Sequence, residues 1–143
     1  MTLASSAAGP LRLGDSPVRV LLASSGDRAG LQRKVAAGHR VELVLSGLSA
    51  DRQPGIRYRV YFGLPAGAAP DDAHLVQAIN FFNDVPLAGA LPKPDVPLRF
   101  DITALAAKTL AAGGDVAVTL VPEGRTENGA QPQIARIAIV VQE

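Results

Sequence analysis

Apolar and polar residues alternate most regularly over residues 57–62, where Tyr58, Val60 and Phe62 fall on one face. A period of two residues is that of a β-strand with one buried face. Further apolar runs of strand length, many of them β-branched, lie at residues 18–22, 40–45, 75–82, 97–100, 116–121 and 134–141. Gly and Pro lie almost wholly between the runs, as turn-forming residues do. We therefore predict an all-β fold, an antiparallel β-sandwich of about seven or eight strands.

The middle of the last two runs predicts part of the core. Val118 and Ile137 are central in β-branched segments, so we expect both side chains to be buried. Aromatic rings carry much of the burial in a small domain, so most of them should also be core residues. The aromatic residues are Tyr58, Tyr61, Phe62, Phe81, Phe82 and Phe100.

One segment departs from the strand pattern. Residues 102–111 are rich in alanine and place their larger apolar residues at helical spacing. Asp101 is a suitable N-cap, and Gly113-Gly114 is a suitable helix stop. We predict one short helix here, laid across the end of the sandwich. The polar and glycine-containing residues 24–38 are interpreted as a loop.

The first residues differ in composition from the rest. Residues 1–16 are rich in small residues and contain Gly-Pro and Gly-Asp-Ser signals, which are typical of a linker or tail. The strand pattern occupies residues 17–143, the length of one domain. Residues 1–10 lack both the basic and the apolar region of a signal peptide. No run reaches the roughly 18 apolar residues of a membrane span, so we expect a soluble domain without a membrane partner.

The composition excludes several kinds of site. Lys and Arg number 14 against 13 Asp and Glu, so the formal charge is +1 and offers no electrostatic reason for nucleic-acid binding. The absence of Cys excludes disulfides, thiolate metal sites and cysteine nucleophiles from this chain. With 2 His, the chain cannot supply a site that needs three or more imidazoles. We expect no catalytic residue, no metal site and no cofactor in this chain.

The remaining candidate residues have ordinary structural interpretations. His39 and His74 are expected in solvent at loops or strand ends, although a weak metal site beside Asp71 and Asp72 is conceivable. Asp71-Asp72 follows a proline, and turn formation is its expected role. Arg57 and Arg59 project from one strand face, as a small basic patch or as a solvated face.

The strand ending at Phe62 carries bulky apolar residues into a turn. Tyr61, Phe62, Leu64 and Pro65 are the candidate docking residues, because an exposed apolar side chain on a turn can insert into a partner's pocket. Phe62 shares the face of the core residues, whereas Leu64 lies past the strand end and is expected to protrude. Leu64 is therefore ranked above Phe62 as the docking residue. The alternative for Phe62 is that it is simply the last core residue of its strand.

Several short patterns in this order resemble a known family. The C-terminal β-sandwich domain of tyrosinases and polyphenol oxidases has similar segments, and the resemblance spans nearly the whole chain. The segments are Gly9-Pro10-Leu11-Arg12-Leu13-Gly14-Asp15-Ser16-Pro17-Val18, Tyr58-Arg59-Val60-Tyr61-Phe62-Gly63-Leu64-Pro65, Ala78-Ile79-Asn80-Phe81-Phe82, Leu98-Arg99-Phe100-Asp101-Ile102-Thr103, Val116-Ala117-Val118-Thr119-Leu120-Val121-Pro122 and Ile134-Ala135-Arg136-Ile137. Plant members carry Lys-Phe-Asp-Val where this chain has Arg57-Tyr58-Arg59-Val60, and this departure suggests a bacterial type.

The resemblance implies a non-catalytic role. In that family a separate helical domain binds two copper ions through six histidines and oxidises phenols to o-quinones. The C-terminal sandwich covers the entrance and often inserts one side chain into the substrate pocket, which keeps the enzyme latent. This chain would then be the shielding domain, covalently linked to the copper domain or cleaved from it. The alternative is a free-standing β-sandwich that binds a ligand or protein unrelated to copper.

Overall fold

The computed structural model of this chain describes residues 2–5, 11–14, 16–22, 25–49, 56–79, 97–125 and 132–142. Within them the chain forms nine strands and two α-helices. In chain order these are β1 (Thr2–Ser5), β2 (Leu11–Arg12), β3 (Val18–Leu21), α1 (Ser25–Ala36), β4 (Arg40–Ser49), β5 (Tyr58–Phe62), β6 (Leu75–Ile79), β7 (Leu98–Asp101), α2 (Thr103–Ala111), β8 (Ala117–Pro122) and β9 (Gln133–Gln142). A short 3₁₀ helix over Asp72–His74 precedes β6.

The strands form two sheets in which every described pairing is antiparallel. The first sheet has the order β1-β9-β4-β7, and β2 also pairs with β9. The second sheet has the order β3-β8-β5-β6. Consecutive strands of the chain often lie in different sheets, which is the arrangement of a sandwich and not of a meander. The predicted all-β antiparallel sandwich is confirmed.

The core lies between the two sheets. Tyr58, Val60 and Phe62 are all buried and belong to it, as the alternation predicts. Val118 and Ile137 are both 0% exposed, so the predicted strand registers are confirmed. The predicted extension of the β6 run to residue 82, with Phe81 and Phe82 as core residues, lies outside the described residues.

Part of the segment predicted as a linker or tail belongs to the first sheet. β1 and β2 both pair with β9, and Leu11 lies opposite Ile134. Leu13 is buried in the core, and its N–H donates to the carbonyl oxygen of Pro132 at 2.9 Å. Residues 2–5 and 11–13 are therefore held by the sheet. Their role as a link to another domain stays a prediction.

The interpretation of residues 24–38 as a loop is wrong, because α1 occupies most of this segment. Its sequence contains two glycines and has no apolar stripe, so neither propensity nor pattern favours a helix. Its stability comes from tertiary contacts. Leu31 is buried in the core, and the Arg28 guanidinium donates hydrogen bonds to the carbonyl oxygens of Leu110 and Gly114, at the end of α2.

The second helix is the predicted one, with one correction at its start. Ile102 and not Asp101 occupies the N-cap position. The Asp101 carboxylate still accepts hydrogen bonds from the Thr103 backbone N–H at 3.0 Å and from the Thr103 hydroxyl at 2.7 Å. The predicted stop is confirmed, because Gly113 adopts a φ of 75° immediately after the helix.

Candidate functional site

The turn after β5 was the predicted docking element, and its backbone is held closely. The Gly63 N–H donates to the Ala117 carbonyl oxygen at 2.9 Å, and Gly63 has a φ of 81°. The Arg19 Nε donates to the Leu64 carbonyl oxygen at 3.2 Å. Arg19 also pairs with Asp115 at 2.8 Å between Nη2 and Oδ2. Two strands of the second sheet therefore fix the path of this turn.

This fixed path buries three of the four candidate docking residues. Leu64 is 2% exposed, so the expectation that it protrudes is wrong. The chain reverses at Gly63, and the hydrogen bonds on both sides hold Leu64 against the domain. Phe62 is a core residue, and Tyr61 is buried although it lies on the opposite face of β5. Pro65 is the exposed member of the group.

The exposed part of this turn begins at Pro65, the last of the predicted docking residues. Residues 65–71, which we call the 65–71 loop, are all exposed. A turn closes its first half, with the Ala68 N–H donating to the Pro65 carbonyl oxygen at 3.1 Å. The tip carries Pro and Ala side chains and no charge before Asp71. Sequence reasoning missed this loop, although the two prolines that bracket it are a signal for a projecting turn.

The acidic pair that follows the loop has a structural role. Asp71 caps the 3₁₀ helix, and its Oδ1 accepts a hydrogen bond from the His74 backbone N–H at 2.9 Å. The His74 ring Nδ1 lies 2.6 Å from the same oxygen. This side-chain hydrogen bond lowers the pKa of Asp71. The predicted turn role of Asp71 agrees with this geometry.

The two histidines are not brought into a metal site. His39 directly precedes β4, and its Nδ1 lies 3.2 Å from the Gln142 carbonyl oxygen, whereas His74 is occupied by Asp71. Across the described ranges, no group of three or more His, Cys, Asp or Glu residues is placed to hold a metal ion. In the same part of the chain, no helix is long and apolar enough to cross a membrane.

Arg57 and Arg59 share one carboxylate. The Nε atoms of Arg57 and Arg59 lie 3.1 and 2.8 Å from the two carboxylate oxygens of Glu123. The hydrogen bond from Arg59 is the main cause of the lowered pKa of Glu123. Both arginines are largely exposed. Of the two predicted interpretations, the structure therefore favours a solvated strand face whose charge is partly neutralised.

A groove opens on the side of the sandwich where β6 and β7 lie. Its volume is about 980 Å³, and it is lined by these two strands, by α2 and by Val35 of α1. Phe100 and Leu105 are partly exposed apolar residues of this groove, and Arg99 and Lys108 are its exposed cations. The sequence pattern did not predict it, because the two strands come from different sheets.

These features define a small antiparallel β-sandwich. The same fold occurs in solved structures of plant oxidases. Latent apple tyrosinase matches over 94% of this chain and 27% of its own, with a TM-score of 0.56 and 22% sequence identity. Latent aurone synthase, a polyphenol oxidase, matches over 92% of this chain and 25% of its own, with a TM-score of 0.55 and 16% identity.

The matched region is the C-terminal, non-catalytic part of those proteins. This chain spans about a quarter of their length. At these identities the likeness establishes a shared fold, which confirms the resemblance found in the sequence at the level of fold. No protein-family model matches the chain, and no curated protein sequence matches it.

Proposed function

We propose that this chain is the shielding domain of a tyrosinase-like copper oxidase. The observation that carries the proposal is the fold match, which covers 92–94% of this chain and falls on the C-terminal part of oxidases described as latent. In this proposal the two copper ions and the phenol-oxidising chemistry belong to a separate catalytic domain. The sandwich is covalently linked to that domain or cleaved from it, and contributes no catalytic residue.

The 65–71 loop is the element that we assign to the contact. It is exposed along its whole length, and its residues before Asp71 carry uncharged, mostly apolar side chains. Leu64, Phe62 and Tyr61 are buried and hold its base. Pro65 is thus the candidate docking residue that remains accessible. A loop on a firmly held base loses little conformational freedom when it enters a pocket.

The expected strength of this contact is modest. Buried apolar groups contribute about 0.8 kcal/mol per CH₂, so a few Pro and Ala groups are worth on the order of 2–3 kcal/mol. That free energy corresponds to roughly a 30- to 150-fold preference for the closed state. Covalent linkage adds a high effective concentration. A loop of this size is therefore sufficient to keep a linked enzyme mostly closed.

The test uses a chimaera in which this chain replaces the matched region of latent apple tyrosinase. We expect the chimaera to oxidise a phenol more slowly than the catalytic domain alone. The double change Ala68→Asp and Ala69→Asp should restore the rate, because burying two carboxylates in the contact is unfavourable. Ala36→Asp, an exposed alanine of α1, is the matched control and should leave the chimaera slow.

Further measurements separate the shielding role from the assignment of the contact to the loop. Leu64→Gly should lower the thermal stability of the isolated chain, because Leu64 is buried. A chimaera as active as the free catalytic domain would overturn the shielding role and favour a free-standing binding module. A slow chimaera that the loop variant does not activate would overturn only the assignment of the contact.

A further inference from the structure

The groove between the sheets is bordered by two strand edges. Within the described residues, β7 pairs with β4 alone and β6 pairs with β5 alone. Residues of both strands line the groove. Edge strands present backbone N–H and C=O groups that another extended segment can use. Within the described part of the chain, the groove thus combines unpaired backbone groups with partly exposed apolar side chains.

The pairing of β7 identifies the backbone groups that are available. The Ile102 N–H donates to the Val41 carbonyl oxygen at 3.0 Å, and Phe100 lies opposite Leu43. Backbone N–H groups of alternate residues point to the same side of a strand. The N–H of Phe100 is therefore directed at β4, and the N–H groups of Arg99 and Asp101 are directed at the edge of β7 that no described strand pairs with.

The side chains of β7 alternate between apolar and charged positions. Leu98 and Phe100 pack against the core, whereas Arg99 and Asp101 are exposed. Asp101 is engaged by Thr103, and its Oδ2 lies 3.4 Å from the Nε of Arg40. Arg99 has no carboxylate within ion-pair distance among the described side chains, and the same holds for Lys108 on α2.

We propose that this groove binds an extended peptide segment of another protein by adding it as a strand to β7. The segment carries an acidic residue between two apolar residues. In an added strand the residue opposite Arg99 shares the exposed face with it, and its two neighbours face Leu98 and Phe100. Glutamate opposite Arg99 supplies a counter-charge that none of the described side chains provides, and the apolar neighbours fill the groove. This inference does not depend on the shielding role.

The charge of β7 argues for such a segment over a second copy of this chain. Antiparallel addition of β7 to β7 sets Arg99 of one copy opposite either Asp101 of the other, whose carboxylate already accepts hydrogen bonds from Thr103, or Arg99 of the other, whose like charge is destabilising. An acidic segment converts that repulsion into attraction. The Lys108 ammonium group, which lines the same groove, also favours a negatively charged segment.

The probe is the peptide acetyl-Ser-Thr-Val-Glu-Val-Thr-Ser-amide, added to the full chain and followed by NMR. We expect saturable binding together with slowed hydrogen exchange of the Arg99 and Asp101 amides. The Phe100 amide is the internal control, because it already faces β4. Methylation of the glutamate backbone nitrogen should abolish binding, because it removes the N–H that pairs with Arg99.

A charge exchange tests the side-chain part of the proposal. Arg99→Glu should weaken binding of this peptide by about tenfold, and replacing the peptide's glutamate with lysine should recover most of that loss. Arg125→Glu is the matched control, since it makes the same charge change at an exposed position outside the groove lining. Absence of saturable binding, or binding without protection of the Arg99 and Asp101 amides, would overturn the proposal. A concentration-dependent dimer that protects the same amides without peptide would assign the groove to a second copy.

Discussion

Thr109 of α2 occupies the space in which a side chain at Gly63 would lie. A Cβ built on Gly63 falls 2.5 Å from the Thr109 Oγ1 and 2.8 Å from its Cγ2. The turn that leads out of β5 is therefore packed directly against the helix. This contact connects the candidate docking region to α2 and explains why the residue after Phe62 is glycine.

Gly63→Ala should destabilise the domain by about 2–5 kcal/mol, because it adds both a left-handed backbone cost and overpacking against Thr109. Gly67→Ala is the matched control. Gly67 also has a positive φ, of 76°, but its Cβ would meet nothing within 4 Å, so about 1–2 kcal/mol is expected. Urea denaturation measures both changes. Equal losses for the two variants would contradict the packing argument.

Thr109→Val should stabilise the domain by about 1 kcal/mol. The Thr109 hydroxyl is buried and has no hydrogen-bond partner among the described residues, so its removal relieves an unfavourable desolvation at nearly constant volume. Thr103→Val is the control, because the Thr103 hydroxyl oxygen accepts from the Val41 N–H at 2.9 Å. Calorimetry should show the melting temperature rising for the first variant and falling for the second. A fall for Thr109→Val would show that its hydroxyl is satisfied.

Arg28→Gln should cost about 1–2 kcal/mol, because the guanidinium joins α1 to the carbonyl oxygens of Leu110 in α2 and of Gly114 just beyond it. Hydrogen exchange of α1 amides should accelerate more than that of β9 amides, since α1 depends on this contact. Arg33→Gln removes an exposed charge from the same helix and should change neither quantity. Uniform acceleration across both elements would point to a general loss of stability.

Acid should weaken the fold through Asp101. Its pKa is lowered, chiefly by the hydrogen bond from the Thr103 hydroxyl and then by the Thr103 backbone N–H. A lowered pKa in the folded state contributes stability that is present above the usual carboxyl pKa of about 4. That contribution is lost as the pH falls through the folded-state pKa. Between pH 5 and pH 3 the urea midpoint of Asp101→Asn should therefore fall less than that of the parent chain.

Ile137→Ala should destabilise the domain by about 2–5 kcal/mol, because the side chain is fully buried between the sheets. Arg136→Ala, at the exposed neighbouring position of β9, should change the stability by less than about 0.5 kcal/mol. Guanidinium denaturation of both variants tests the face assignment. A larger loss at position 136 would mean that the register of β9 is shifted by one residue.

Seven of the nine described strands were predictable, because an apolar run of strand length marks each of them. The alternation over residues 57–62 predicts which face of β5 is buried, and the burial of Tyr58, Val60 and Phe62 agrees with this prediction. α2 was predictable for the same local reason, since its alanines and the following glycines favour a helix and its stop. The composition likewise excludes thiolate sites and sites of three or more imidazoles from this chain.

Apart from the N-cap of α2, the errors concern partners that are distant in sequence. α1 has no helical pattern of its own and is held by Arg28 contacts more than 80 residues away, with sequence separations of 86 and 82. Leu64 was expected to protrude, but its backbone is bound to Arg19 at a separation of 45 residues. The pairing of β1 and β2 with β9 joins the two ends of the chain.

The sequence by itself thus determined seven of the nine described strands, the helix α2 and the buried faces of strands such as β5, because each depends on neighbours within one element. Only the tertiary structure decided which turn residues are exposed, where α1 forms and which charges are paired. It also brought the edges of β6 and β7 to one groove. These features depend on how two sheets are superposed, and no local periodicity encodes the distance between residues of different sheets.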